Sequence, residues 1–258
     1  MGPNEGCKVE KNIRIAWSVS KMIGAVVVLY NPTKNEIQNI NLYKDKVDYT
    51  VIVDNSSEDN QQMIDSVVGF VSNIIYYSES INMGLAKGFN IGVNILKQQG
   101  CDWALLFDAD SKIESDIISV YKKAIAECKR DVAVYSPVHI FERRKNKSYK
   151  GYREIDWAMT SGCLYNCEIF KEQKGFFEDL FVDGLDMDYC FKSHENGYKV
   201  IECGEAIIKH NPAETRNFFC FKYGIASPIR YYMQARQLIW CWLRYKKNKI
   251  FLIYLLLM

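Results

Sequence analysis

The chain has 258 residues, of which 48% are apolar, 14% aromatic and 25% charged, enough for one large domain or two small ones with a substantial core. Basic residues exceed acidic ones by only two, so no overall field draws the molecule to nucleic acid or anionic lipid, and the composition is not that of a disordered chain. Nine cysteines, without a C-x-x-C pair, read as buried thiols of a reducing cytosol; Cys163 and Cys167 have helical spacing.

Residues 1–21 hold no apolar h-region, so they predict a flexible extension rather than a signal peptide. The β-branched run over 23–30, closed by Asn31-Pro32, predicts a strand buried on both faces. A polar periodic stretch to Lys46 predicts a helix, and 49–53 a second buried strand ending at Asp54-Asn55. Helices are expected over 61–70 and 85–99, and strands over 73–77 and 103–107, the last closed by Asp108-Ala-Asp110. Such alternation implies an α/β fold with a mostly parallel central sheet and helices on both faces. Ligands of such sheets sit beyond the carboxyl ends of the strands, where Asn31, Asp54 and Asp108/Asp110 stand.

The second half is less regular. Ser111-Lys-Ile-Glu114 reads as a capping box before a helix over 115–129. Short strands are expected at 132–134, 155–159, 200–202 and 207–209, with an exposed basic loop over 142–150. Residues 231–247, aromatic and basic, predict a surface helix. Residues 250–258 are apolar but far short of the ~20 residues of a membrane span, and read as an interfacial anchor or the start of a longer segment.

Asp108 and Asp110 share one side of an extended backbone, an arrangement suited to a cation that is completed by substrate phosphates. A solvated turn that caps the next helix explains the pair equally well. Asp183, Asp186 and Asp188 stand at the start of a predicted helix among Phe176, Phe177, Phe181 and Tyr189. Helix capping is one account; a general base toward a substrate hydroxyl is the other. Gly84, Gly88 and Gly92 lie on one helical face, which permits close packing, or leaves Asn82 and the helix N-terminus to bind an anion. The spacing is neither a dinucleotide fingerprint nor a P-loop. His210, after the last strand, is a candidate third metal ligand.

In order, these segments resemble family 2 glycosyltransferases of the GT-A fold, especially the rhamnosyltransferase-like branch that builds bacterial surface polysaccharides. The resemblance runs over about residues 22–245 through Asn31, Val53-Asp-Asn-Ser-Ser-Glu-Asp59, Asn82-Met-Gly-Leu-Ala-Lys-Gly88, Asp108-Ala-Asp110, Thr160-Ser-Gly162 and Asp183-Gly-Leu-Asp-Met-Asp188. It implies an inverting, metal-dependent transferase in which residues 22–130 bind the donor, 131–230 carry the acceptor side and base, and 231–258 form an aromatic-basic helix and tail. Asn31, Asp54, Asn82, Gly84, Lys87, Asp108, Ser161 and Gly162 would line the donor. Asp108, Asp110 and His210 would hold Mn²⁺ or Mg²⁺, and Asp186 would act as base with Asp188 beside it. The donor would be a dTDP- or UDP-linked sugar and the acceptor a saccharide or lipid-linked oligosaccharide. The expected location is the cytoplasm or the inner face of the plasma membrane, with peripheral membrane contact and a homodimer both left open. A sugar nucleotidyltransferase and an inactive nucleotide-sugar-binding module are the alternatives; both acid clusters being intact weighs against the second. Tyr30-Asn-Pro-Thr-Lys weighs against the first, since it offers no glycine-rich loop.

Overall fold

The computed structural model describes residues 21–128, 131–140, 148–209 and 227–245, with the backbone of 214–218 and 221–225. His210, the N-terminal extension up to residue 20 and the apolar tail lie outside the described residues, as does most of the expected basic loop. Four strands in parallel, β1 (Ile23–Leu29), β2 (Tyr49–Asp54), β3 (Ile74–Ser78) and β4 (Trp103–Asp108), stand in the order β3-β2-β1-β4. Their carboxyl ends face one side, as the sequence predicts.

β1 shows why these runs form a central sheet. Val26 and Val28 point into a core under α3 (Leu85–Gln98), whereas Ile23, Ala25, Val27 and Leu29 point into a second core on the other face. That second core is covered by α1 (Lys34–Gln38), α2 (Gln61–Val68) and α4 (Ile117–Glu127). The glycines at 88 and 92 are packing devices: a β-carbon at Gly92 would lie 2.2 Å from Val26 Cγ1, and one at Gly88 3.1 Å from Val28. Only hydrogen there lets α3 lie this close to β1.

The helix expected to reach Lys46 stops at Gln38 and continues as a 3-10 turn, Asn39–Leu42. Asparagine competes with helix propagation through its side chain. Here Asn39 donates to the Ala109 carbonyl (2.8 Å) and Asn41 to the Val67 carbonyl (3.2 Å), tying the turn to its neighbours. The capping box expected at Ser111–Glu114 is absent as well. Lys112–Ile113 form a short strand, β5, and α4 is capped by Asp116, whose side chain accepts from the Ser119 amide.

The second half completes the same sheet. β6 (Val132–Ile140) is three times the length expected; β7 is Tyr152–Glu154, just before the predicted 155–159. β8 (Leu164–Asn166) enters antiparallel between β4 and β6, then turns into α5 (Cys167–Glu172). Only Cys167 of the cysteine pair is therefore helical. The two strands predicted at 200–202 and 207–209 are one, β9 (Lys199–Lys209), whose pairing with β6 shifts register between Pro137 and Val138. α6 (Leu185–Glu195) and α7 (Pro228–Arg244) follow the predicted helices, and a hairpin, β10 (Glu214–Phe218) and β11 (Phe221–Ile225), precedes α7.

Candidate active site

Beyond the carboxyl ends of β1, β2 and β4 the structure gathers acidic residues from distant segments. Asp108 ends β4, and Asp110 follows in a turn in which the Ser111 amide donates to the Asp108 carbonyl at 3.2 Å. The pair is thus presented by a turn and not by the pleat of an extended strand. Asp108 is half-buried; Asp110 is exposed and lines an open groove with Asn35, Glu36, Asn39 and Lys112.

The acids at α6 face the same place. Asp186 sits in the first turn, one residue after Leu185, with Gly184 as N-cap in the left-handed region (φ 77°). Burial among apolar neighbours pushes its carboxyl up to about 7; the charges of Asp183 and Asp108 add to the rise, and the Met187 amide, donating at 2.8 Å, opposes it. Asp108 is likewise raised to about 7, by burial first and then by the charges of Asp110 and Asp183, against the pull of Arg230. Asp183 is raised by burial and held down by Arg230, whose Nε lies 3.5 Å from its Oδ1. Four carboxylates and one guanidinium therefore share a cleft in which ionising every acid is costly.

Hard oxygen donors in such excess suit a divalent cation. Among the described residues no three His, Cys, Asp or Glu side chains converge as a complete ligand set. Mg²⁺ and Mn²⁺ are commonly held by one or two carboxylates with substrate phosphates filling the shell, so Asp108 and Asp110 fit that role.

The predicted Thr160-Ser-Gly162 turn lies beneath Asp108. Ser161 is fully buried: its hydroxyl accepts from the Asp108 amide (3.1 Å) and touches the Ser111 hydroxyl, and its carbonyl accepts from His139 Nε2 (2.7 Å). Gly162, at φ 77°, donates to the Leu106 carbonyl, and a β-carbon there would meet Ile208 at 2.7 Å. Ser161 and Gly162 thus hold the acid turn from behind and line no open surface. His139, a lone histidine in an apolar strand, carries no sequence signature of this role.

Two other expected donor residues also make hydrogen bonds within the chain. Asp54 is wholly buried; its carboxylate accepts from the Ser56 amide (3.0 Å), Asn60 Nδ2 (2.9 Å) and the Tyr76 hydroxyl (2.9 Å). It fixes the loop after β2 and presents no exposed edge to a ligand. Asn31 is exposed in the left-handed region (φ 47°), its amide donating to Ser56 Oγ at 2.8 Å, so the ends of β1 and β2 are joined through that serine.

At the start of α3 the first amides already have partners within the chain. The Phe181 carbonyl accepts from the Leu85 amide (2.6 Å) and more weakly from Ala86, and the Asn82 side chain accepts from the Gly84 amide. Gly84 is buried at φ 83°, a β-carbon there would lie 2.8 Å from the Phe181 oxygen, and Lys87 stands half-buried one turn on. The segment leading to Asp183 and Asp186 is thereby fastened to the first half of the chain.

α7 fastens it from the other side. Trp240 stacks on Phe177 (4.9 Å), Arg236 donates to the Asp179 carbonyl (2.8 Å), and Gln237 packs on Gly184. Asp188 does not face the cleft partners of Asp186: fully buried, it accepts from the Tyr245 hydroxyl at 2.6 Å, with Arg244 at 3.8 Å. Tyr245→Phe removes that buried donor from a carboxylate, and a loss of about 1–3 kcal/mol is expected in urea unfolding.

Comparison with known proteins bears on the family and the fold. The family profile described as Glycosyl transferase family 2 matches residues 32–182. The dTDP-rhamnosyl transferase RfbF of Shigella flexneri is 26% identical over 252 residues, covering 88% of this chain and 81% of that protein. Among solved structures, S. aureus TarS 1–349 in complex with UDP superposes with a TM-score of 0.55 at 18% identity, over 84% of this chain and 65% of that one. GalNAc-T7 with UDP, GalNAc and Mn²⁺ gives a TM-score of 0.58 at 13% identity, over 74% of this chain and 44% of that one. The chain thus spans less than two thirds of these solved proteins, and at such identities they bear on the fold alone, which is GT-A. With the family profile covering more than half of its length, the chain belongs to glycosyl transferase family 2 and is a rhamnosyltransferase-like member of it.

Proposed function

We propose that the protein is an inverting, metal-dependent glycosyltransferase that moves rhamnose from a dTDP-linked donor to a saccharide or lipid-linked acceptor in surface polysaccharide synthesis at the cytoplasmic side of the membrane. The observation that carries this reading is the meeting of Asp108 and Asp183 with Asp186 in one cleft, close enough for each charge to move the ionisation of the next. The likeness to RfbF supports dTDP-rhamnose; the UDP in the TarS and GalNAc-T7 structures keeps UDP-linked hexoses as the competing donors.

In this mechanism Asn31 and the loop pinned by Asp54 shape the nucleoside end of the cleft, Asp54 acting through the loop it holds. Asp108 and Asp110 would hold the cation, whose chemistry when bound would be to offset the charge on the departing diphosphate. Asp186, whose carboxyl is raised to about 7 by burial, is basic enough to accept a proton from the acceptor hydroxyl. That oxygen then attacks the anomeric carbon on the face opposite the diphosphate, the C–O bond to phosphate breaks, and one displacement inverts the centre. Arg230, paired with Asp183 and near enough to Asp108 to ease its ionisation, places a positive charge in the same cleft. His210 is assigned to the cation through the family resemblance alone.

Calorimetric titration tests the reading. dTDP-rhamnose is expected to bind with Mn²⁺ present and at least about 10-fold more weakly with chelator, or in Asp110→Asn, one good charge-assisted contact being worth that much. Tighter binding of UDP-glucose would reassign the donor. Binding of neither nucleotide sugar would overturn the transferase mechanism.

A further inference from the structure

The near-neutral net charge conceals a segregation. All 31 acidic residues lie before residue 215, whereas eight of the 33 basic residues lie after it. Residues 215–258 therefore carry +8 and the rest of the chain −6. α7 is the described helix of that basic segment, and its two sides differ. One holds the cleft through Arg230, Gln237, Trp240 and Cys241. The other carries Ile229, Tyr232, Ile239 and Leu243 at spacings of three, seven and four residues, 61%, 62%, 45% and 54% exposed, with Trp242 beside them at 40%. Isolated exposed apolar residues need no explanation, but two exposed apolar patches on one side of a helix, Ile229 with Tyr232 and Ile239 with Leu243, separated only by Arg236, do.

We propose that the outer side of α7 lies in the plane of an anionic phospholipid surface, its apolar stripe in the headgroup boundary and its basic residues on the phosphates. The composition is that of interfacial helices: large apolar and aromatic residues on one side, three arginines and no acid in the element. Arg236 stands between Tyr232 and Ile239 on the exposed side while its tip reaches the Asp179 carbonyl, Arg244 is half-exposed beside Asp188, and the sequence beyond α7 adds Lys246, Lys247 and Lys249 before the apolar residues 250–258. Charge decides between occupants. A second copy of the chain would set two +8 segments against each other, whereas a lipid surface of opposite sign attracts each basic residue. Because the inner side of α7 grips residues 177–188, docking would place the cleft next to the bilayer, where a lipid-linked hydroxyl is presented to Asp186. The inference rests on the transferase reading for that purpose only.

Its test needs no turnover. The full chain is sedimented, without nucleotide sugar, with vesicles of phosphatidylcholine alone or with about a third phosphatidylglycerol. Binding to the anionic vesicles is expected to be at least ~10-fold tighter and to weaken with salt. Ile239→Ser with Leu243→Ser should cut it by ~10-fold or more without lowering the melting temperature, both side chains being exposed. Equal binding to both vesicle types, absence of binding, or a dimer in ultracentrifugation that the same two substitutions abolish would each overturn the proposal. Vesicle binding without nucleotide-sugar binding would sink the transferase reading alone, and the reverse outcome would sink the docking alone.

Discussion

Asp186→Asn is expected to lower transfer by ~10³-fold and at the same time to make the fold more stable. The loss follows from the base: an amide accepts no proton from the acceptor hydroxyl. The gain follows from burial, which raises the Asp186 carboxyl from 3.8 to about 7. Between those values the folded protein binds a proton that the unfolded chain has released, so stability falls as pH rises from about 4 to about 7 and stays reduced above. At pH 8 without divalent cation, Asn removes a penalty of roughly 2–4 kcal/mol, worth about 5 °C or more in melting temperature for a chain of this size. The advantage should shrink at pH 5, where Asp186 is already protonated. In the wild type, kcat/KM should climb with pH and level off above about 7, because the working form is the carboxylate. A pH-rate profile and paired melting curves at pH 5 and 8 check both halves; an Asn variant with native turnover would remove Asp186 from the mechanism.

Gly84→Ala carries the second large effect. The residue stands at φ 83°, and the added methyl would lie 2.5 Å from the Phe181 ring and 2.8 Å from its carbonyl oxygen. A ring can turn, but the carbonyl is backbone and is engaged by the Leu85 amide at 2.6 Å. Strain and clash together are expected to cost about 3 kcal/mol in denaturant unfolding. The relief available is movement of residues 181–186, so kcat should fall at least ~10-fold even where the variant stays folded. Gly92→Ala is the control. Its methyl would strike Val26 at 2.2 Å, far from the acids, so stability should fall while kcat of the folded fraction holds. Equal kcat losses in the two variants would show that the Gly84–Phe181 junction has no special part in placing the base.

The first four strands and α3 were legible because each is a long buried run or a strong period, and such patterns need no knowledge of partners. β5, β7 and β8 were not: at two or three residues they exist only because β9, β4 and β6 offer a free edge. The gap left between the strands predicted at 200–202 and 207–209 is a shift in register within one strand, something a glycine such as Gly204 signals without saying which way the chain proceeds. At the site, Asp108 and Asp186 could be matched by motif. The saturation of Asp54 by Asn60 and Tyr76 could not, and neither could the occupation of the α3 terminus by Phe181, since a backbone carbonyl has no letter in the sequence.

The place of β8 in the sheet bears on how the chain is made. β4 pairs with β1 on one side, and its other side stays open until residues 164–166 arrive to fill it. During synthesis, and in any fragment ending near residue 130, that row of amides and carbonyls is an uncapped edge of a strongly apolar strand, a template for pairing between molecules. Such a fragment should therefore self-associate, and the place to cut this enzyme for expression is after α7.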